Sequence, residues 1–420
     1  MNLKNEISKI SRNAKEASRE LATLKTSRKN KILQEMAKSV ERSKAAIKKA
    51  NSVDLRNAER CKLSSAFMDR LKLNDKRIKG MADSIESISK LKDPVGVVEE
   101  VRNRPNGLVI KKVRVPIGVI CVIYESRPNV TADCVALCLK SGNGLILRGG
   151  REAINSNRAI FNALNDSGLK NGLPGNAMAL VGTTDRKAVD ILLSQEGVID
   201  LAIPRGGESL IKEVSKKAKI PVIRHYKGVC HVYVDDYADL NMAESVSFNA
   251  KVERPGVCNA METLLVHEGV AARFLPSMAK KFIDAGVEIR GCPLTKRILR
   301  NYDITPARES DWSAEYLDLI VSVKVVKSAA EAIGHINKYG TSHSDAIITD
   351  NKERAAEFTG KVDSGSVYVN ASTRFTDGHE FGKGAEIGIS TDKIHARGPM
   401  GTEELTTYKY VIFGNGQIRK

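Results

Sequence analysis

Apolar positions recur along the first ninety residues at helical spacing. Leu3, Ile7, Ile10, Ala14, Ala17, Leu21 and Leu24 step by alternating fours and threes, which puts them on one stripe of an amphipathic helix. Ile32, Met36 and Val40 continue that texture, and Ile78, Met81, Ile85 and Ile88 repeat it. From Gly107 the pattern changes. "GLVIKKVRVPIG" is β-branched and extended, with Pro116 limiting its pairing. A new rhythm follows to about residue 370: a short apolar run, a Gly/Pro/Asn turn, then a helical segment. The runs are Val119–Tyr124, Leu145–Leu147, Ala177–Val181, Ile199–Ile203, Val232–Val234, Leu264–Val266, Leu319–Val326, Ala346–Ile348 and Ser366–Val369. Helical stretches such as Val130–Lys140, Ala153–Leu164, Asp185–Leu193, Leu210–Lys217, Val270–Ala285 and Ala329–Tyr339 lie between them. This alternation predicts an α/β protein with parallel sheets covered on both faces. Ligands of such folds bind at the carboxyl ends of the strands, on the turns into helices.

A chain of 420 residues is long enough for two domains. No apolar stretch approaches a membrane span, and the N-terminal segment has no secretory core, so a cytoplasmic location is the expectation. The seven cysteines are odd in number and scattered through apolar runs, as reduced thiols are. Cys134 and Cys138 fall four apart in an apolar helix without a matching His pair and read as core, so no metal is expected. The net charge of +17 raises nucleic acid as a partner. Yet residues 1–50 hold fourteen Lys/Arg against five Asp/Glu, so over half of the surplus lies on the predicted amphipathic helices. Aromatics are 5% and do not interleave with the basic residues. A solvated basic face on packed helices is the simpler reading, and neither nucleic acid nor membrane is expected as a partner. A catalytically silent basic scaffold or nucleic-acid binder is the rival from another class.

Candidate chemistry sits on the turns. "RGGREA" (148–153) and "PRGGES" (204–209) pair glycines with arginine after apolar runs. Such turns let backbone and guanidinium approach phosphate at a helix N-terminus. The G-x-G-x-x-G dinucleotide fingerprint is absent. "RPGVCNAMETLLV" (254–266) places Cys258 behind a Pro-Gly turn and before what reads as a short helix. A helix start favours thiolate, the reactive form. The loop "ASTRFTDG" (371–378) carries Ser372, Thr373, Arg374 and Asp377 after an apolar run, and a surface arginine is the plain reading of Arg374.

These segments, with "VPIGVICVIYESRPNVT" (115–131), "LRGGREAINSN" (147–157), "IDLAIPRGGESLI" (199–211), "EYLDLIVSVKVV" (315–326), "VNASTRFTDGHEFGKGAEIGIST" (369–391) and "KIHARGPMGTEELTTYKYV" (393–411), resemble the aldehyde dehydrogenase superfamily in its gamma-glutamyl phosphate reductase branch. The resemblance implies an aldehyde dehydrogenase-like fold: two doubly wound parallel-sheet domains plus a small β oligomerisation element. It implies a cofactor domain over 1–234 with a chain return at 379–397, and a catalytic domain over 235–378. A C-terminal strand over 398–420 would pair with 103–117, on an edge that suits another subunit. The implied reaction is reduction of L-glutamyl 5-phosphate with NADPH to L-glutamate 5-semialdehyde, phosphate and NADP, the second step from glutamate to proline. Another thiol-dependent semialdehyde dehydrogenase is the rival within the class.

By the resemblance, Cys258 is the nucleophile. Its own backbone N–H and Asn129 are the oxyanion donors, helix capping being the alternative for Asn129. Arg148 meets the adenosine ribose. Arg151, where NAD-preferring relatives carry Glu, favours a 2′-phosphate. Gly206 and Gly207 approach the cofactor phosphates, Glu315 the nicotinamide ribose, an exposed acid before a strand being the alternative, and Phe381 the nicotinamide. Arg374, with Ser372 and Thr373, would receive the carboxylate of the substrate's amino-acid end group. His225 stands where hydrolytic members keep a Glu base. Lys383 replaces the branch's usual Leu, and Val252 and Glu253 its usual Thr-Gln. A homo-oligomer is implied, and the glutamate kinase that makes the labile acyl phosphate is a candidate partner.

Overall fold

The computed structural model describes residues 2–224 and 227–419. In chain order the main elements are α1 (Leu3–Leu21), α2 (Thr26–Arg42), α3 (Lys44–Arg60), α4 (Ser65–Leu71), α5 (Asp75–Lys90), β1 (Val98–Asn103), β2 (Val109–Pro116), β3 (Val119–Tyr124), α6 (Asn129–Lys140), β4 (Gly144–Gly149), α7 (Ile154–Lys170), β5 (Met178–Leu180), α8 (Lys187–Leu193), β6 (Leu201–Arg205) and α9 (Glu208–Lys217). Then follow β7 (Cys230–Val234), α10 (Leu240–Val252), β8 (Met261–His267), α11 (Glu268–Asp284), β9 (Glu288–Gly291), α12 (Pro293–Ile298), β10 (Thr305–Pro306), β11 (Ile320–Val326), α13 (Ala329–Tyr339), β12 (Ser344–Ile348), α14 (Lys352–Lys361), β13 (Ser366–Val369) and, near the C-terminus, β14 (Thr406–Phe413). They divide into two compact units. One is Met1–Arg224 with Gly382–Gly388 and Pro399–Lys420; the other is His225–Phe381 with Ile389–Gly398.

The first unit is built on a parallel sheet of order β5-β4-β3-β6. β3 and β4 are buried along their whole length, as a strand covered on both faces requires. The stripe on α1 closes onto this sheet through Ile7 and Ala14. Asn2 caps α1 by accepting from the Lys4 N–H at 3.1 Å, and Asn74 caps α5 by accepting from Arg77 at 2.9 Å. A separate antiparallel sheet, β1-β2-β14, runs with Thr406 opposite Pro116 and Phe413 opposite Val109. The expected pairing of the C-terminal run is thus made within the chain, and β14 forms an edge with Tyr408, Tyr410, Ile412 and Phe413 exposed.

The second unit holds a parallel seven-stranded sheet of order β10-β9-β11-β8-β7-β12-β13. Val232, Leu264 and Val323 from its central strands pack with Phe274 and Phe282 of α11. The run Val232–Val234, expected with the first domain, belongs here: β7 pairs with β8 and β12. The returning segments are also 382–388 and 399–420 rather than 379–397. A short apolar run does not say which sheet it joins, because both neighbours of such a strand are distant in sequence. Among the described residues no helix is long and apolar enough to cross a membrane, and no cluster of His, Cys, Asp and Glu could hold a metal ion.

Candidate active site

In the second unit, α10 ends at Val252 and the chain turns through residues 253–260 into β8. Cys258 lies in that turn, half-buried. The expectation of a helix after it fails: Met261 begins a strand in the middle of the sheet. Only Asn259 and Ala260 separate the cysteine from strand β8, which is too short for a helical turn to form before the ladder captures the backbone. The thiol therefore has no helix N-terminus to draw on.

What holds Cys258 is its carbonyl. The buried thiol of Cys230, at the start of β7, donates to that oxygen at 3.1 Å. Gly228 approaches the same group so closely that a Cβ there would stand 1.8 Å from the Cys258 oxygen. The Gly228 N–H in turn donates to Glu315 Oε1 at 2.7 Å. On the other side, Asn259 Nδ2 donates to the carbonyls of Arg374 (3.2 Å) and Thr376 (2.9 Å), and Thr373 Oγ1 donates to the Asn259 carbonyl at 2.7 Å. Ser372 caps the short turn 373–375, accepting from the Arg374 N–H at 3.3 Å. The Arg374 side chain is not a loose surface arginine. It is 16% exposed, its Nε donates to Glu253 Oε2 at 2.7 Å, and its Nη1 donates to Asn259 Oδ1. Cys258, Glu315 and residues 372–374 are thus drawn together around one turn. Phe381 ends the first segment of this unit and is 42% exposed. His225 lies outside the described residues. Sequence reasoning passed over Gly228, Cys230 and Asn259. Only the glycine immediately before an apolar run carried a signal, and it resembled any turn.

In the first unit the expected turns lie at the carboxyl ends of β4 and β6. Arg148, near the end of β4, is 9% exposed. Its Nη1 donates to the Gly149 carbonyl (3.1 Å) and its Nη2 to Thr184 (3.2 Å). Arg151 opens the short turn 151–153 and is exposed. Gly206 and Gly207 connect β6 to α9. Neither takes a positive φ; a Cβ on Gly206 would meet the end of the flexible Glu125 side chain at 2.5 Å, so a larger residue there would displace that carboxylate. The Gly207 N–H donates to Glu125 Oε2 at 2.8 Å, so a carboxylate sits at the N-terminus of α9. Asn129 is the first residue of α6. It does not cap the helix, whose capping position is Pro128; its Nδ2 donates to Asp133 Oδ2 at 3.2 Å.

The model of the aldehyde dehydrogenase family matches residues 2–289 and 312–411. The chain belongs to that family. Within it, the chain is 57% identical over 415 residues to the gamma-glutamyl phosphate reductase of Caldanaerobacter subterraneus, covering 99% of this chain and 100% of the relative. The protein of the same name from Thermodesulfovibrio yellowstonii is 52% identical over 420 residues, all of both chains. The crystal structure of gamma-glutamyl phosphate reductase from Thermotoga maritima superposes with a TM-score of 0.95 at 46% identity, covering 99% of this chain and 100% of that one. An acetylating aldehyde dehydrogenase from Geobacillus thermoglucosidasius, 17% identical with a TM-score of 0.70 over 100% of this chain and 98% of that one, shares the fold.

Members of the aldehyde dehydrogenase family use a nicotinamide cofactor, and the first unit has groups that fit one. Arg148 Nε is buried with no partner among the described residues, an orphaned donor of the kind a ligand oxygen satisfies. Burial pushes the Arg148 guanidinium below its usual value. The exposed Arg151 adds a fork for a phosphate. The Gly207 N–H is already taken by the Glu125 carboxylate, an anion with which a phosphate at this helix start would compete. Lys383 and Glu404 form an ion pair within the first unit, so the lysine that departs from the branch's usual Leu is neutralised locally.

Proposed function

We propose that the chain reduces L-glutamyl 5-phosphate to L-glutamate 5-semialdehyde and phosphate with NADPH, the second step from glutamate to proline. Full-length identity of 57% to a gamma-glutamyl phosphate reductase carries the reading. Cys258 is the nucleophile. Its thiolate sulfur bonds to the acyl carbon, the bond from that carbon to the phosphate oxygen breaks, and phosphate departs with the electron pair. The thioester stays at the oxidation level of the acid. When bound, the reduced cofactor supplies the hydride that takes it to the aldehyde level. The resulting thiohemiacetal loses its hydroxyl proton and expels the Cys258 thiolate as the aldehyde forms.

Both tetrahedral stages carry an oxyanion, for which the Cys258 N–H and Asn129 are the proposed donors. The bond to Asp133 uses one of the two Asn129 amide hydrogens and restrains how the other can be aimed. Arg148, Arg151, Gly206 and Gly207 hold the adenosine and phosphate end of the cofactor, and Glu315 and Phe381 the nicotinamide end. Arg374, with Ser372 and Thr373, receives the substrate's amino-acid end. The cofactor domain is the unit beginning at Met1 and the catalytic domain the unit containing Cys258. The exposed edge of β14 joins subunits into a homo-oligomer, the enzyme works in the cytoplasm, and the upstream glutamate kinase passes it the unstable substrate.

The test is oxidation of glutamate 5-semialdehyde by the purified protein, with and without phosphate and with each nicotinamide cofactor. Phosphate-dependent reduction of NADP, abolished in Cys258→Ser with the fold retained, is the expected result. Turnover that ignores phosphate, or an active serine variant, overturns the reading.

A further inference from the structure

Two charges bracket the turn that carries Cys258. Lys251, in the last turn of α10, and Glu262, the second residue of β8, are both fully buried, and Lys251 Nζ donates to Glu262 Oε2 at 2.7 Å. Burial pushes Glu262 up to about 7 and Lys251 below its usual value, each against the pull of its partner. An ion pair so placed gives up hydration that an apolar pair of the same volume never had, and such replacements are often neutral or stabilising. Stability alone is therefore a weak reason for the pair.

The second carboxylate oxygen points to another reason. Glu262 Oε1 accepts the Leu317 N–H at 3.2 Å. Leu317 has φ +54, a left-handed conformation unfavourable for a residue with a bulky side chain. Two residues earlier is Glu315, which accepts the Gly228 N–H, and Gly228 lies against the Cys258 carbonyl. The connection is continuous from Lys251 through Glu262, Leu317, Glu315 and Gly228 to Cys258, all in one unit.

We infer that Glu262 is a positioning residue: by holding the Leu317 N–H it fixes the backbone that presents Glu315, and through Gly228 it sets Glu315 and Cys258 in one register. Lys251 keeps the carboxylate oriented for that bond. The inference rests on the reading of Cys258 as nucleophile and Glu315 as a cofactor ligand.

Two double variants separate positioning from stability. Lys251→Met with Glu262→Leu removes the charges and the acceptor; Lys251→Met with Glu262→Gln removes the charges and keeps an acceptor for Leu317. Both are expected to melt no lower than the wild type. The leucine pair is expected to lose about 10- to 100-fold in kcat, the effect of one hydrogen bond to a charged group, and to raise KM for the cofactor. The glutamine pair is expected to stay within about threefold in both. Adding Leu317→Gly to the leucine pair should recover much of the loss, because glycine takes positive φ without help. Equal kinetics in the two pairs overturn the inference. Should the leucine pair not fold, Glu262→Asp gives the same contrast, since it leaves a carboxylate for Lys251 and withdraws the acceptor from Leu317; unchanged kcat and KM in that variant also overturn it. The two readings fail differently. An inactive wild type, or an active Cys258→Ser, sinks the assigned reaction, whereas an active wild type with indifferent Glu262 variants sinks only the positioning role.

Discussion

The Cys230 thiol donates to the carbonyl oxygen of Cys258, 3.1 Å away, from a site with no solvent exposure. Burial pushes the Cys230 thiol well above its usual value, so it is held as a donor and not as a nucleophile. Cys121, pushed up to about 12, and Cys134 and Cys138, also pushed up, are buried in the same way. Brief treatment of the native protein with iodoacetamide should label Cys258 and the exposed Cys61. Peptide mass spectrometry should find Cys121, Cys134, Cys138 and Cys230 unlabelled. Modification of Cys230 ahead of Cys258 would reverse the roles assigned to the two sulfurs.

Gly228 is the position where a single carbon should cost most. A methyl group there meets the Cys258 backbone carbonyl at 1.8 Å, with no flexible side chain to yield. Overpacking of this kind costs about 1–3 kcal/mol, and here the strain falls on the peptide of the proposed nucleophile. Gly228→Ala should lower kcat by about 100-fold or more, since a misplacement near 1 Å is enough for that, with a modest fall in Tm. Stopped-flow absorbance of the reduced cofactor and thermal melts measure the two. A variant with wild-type kcat would mean that the cysteine turn tolerates displacement.

Arg374 offers a test of substrate recognition. Its Nε is held by Glu253, which is 51% exposed. A pair with so exposed a partner contributes about 0–1 kcal/mol, so a substrate carboxylate can displace it. Glu253→Gln removes the competing charge and should lower KM for glutamate 5-semialdehyde about two- to fivefold, within that range. Arg374→Met should raise KM about tenfold or more, the loss of a charge-assisted bond. An aldehyde of similar length without the α-carboxylate should respond to neither change. If it responds as strongly as the natural substrate, Arg374 serves the cysteine turn through Asn259 and not the ligand.

Much of this architecture was legible because buried parallel strands are continuous apolar runs. Val119–Tyr124, buried throughout, has the limits its apolar run predicts; Ser366–Val369 also does, although it is an edge strand and only partly buried. β1 and β9 were missed for the complementary reason: "VEEVRN" is an exposed edge and "EIRG" is short and half polar, so neither carries an apolar signature. At the site, the sequence yielded Cys258 and the arginine turns because those residue types advertise chemistry. It did not yield the Lys251–Glu262 pair or the Cys230 contact. Each joins elements whose neighbours in the sheet are set by topology, and a charge or thiol inside an apolar run looks the same before folding whether it is partnered or not. The helix expected after Cys258 failed because Asn-Ala-Met-Glu is composed like a helix start, until Met261 and Glu262 are seen to open a strand in a central ladder.

The proposed preference for NADPH rests on Arg151. The side chain is exposed and opens the turn after β4, close in sequence to the buried Arg148. A guanidinium here gives a 2′-phosphate a fork of donors, whereas a carboxylate repels it. Arg151→Glu should lower kcat/KM for NADPH by about 10- to 100-fold, corresponding to one or two charge-assisted bonds, and leave NADH within about threefold. Steady-state kinetics with both cofactors decide it. An equal loss with each would remove Arg151 from cofactor discrimination.

Asp133 supplies a pH prediction. Burial in the first unit pushes its carboxyl up to about 6, above the ordinary aspartate value, against the hydrogen bonds from Asn129 and Ser84 that favour its charged form. A raised acid binds protons more tightly folded than unfolded, so folding is favoured most below the unfolded value, and that contribution is lost as pH rises through about 6. Asp133→Asn has no such dependence. The difference in Tm, variant minus wild type, should therefore be more positive at pH 8 than at pH 4, with most of the change between about pH 4 and 7. Because the same carboxylate holds the Asn129 amide, the variant also asks whether that bond restrains the proposed oxyanion donor. Release of Asn129 should raise kcat in Asp133→Ala above that in Asp133→Asn, whose amide oxygen still accepts from Asn129. A Tm difference that is flat across this range would show that Asp133 is solvated well enough to ionise normally.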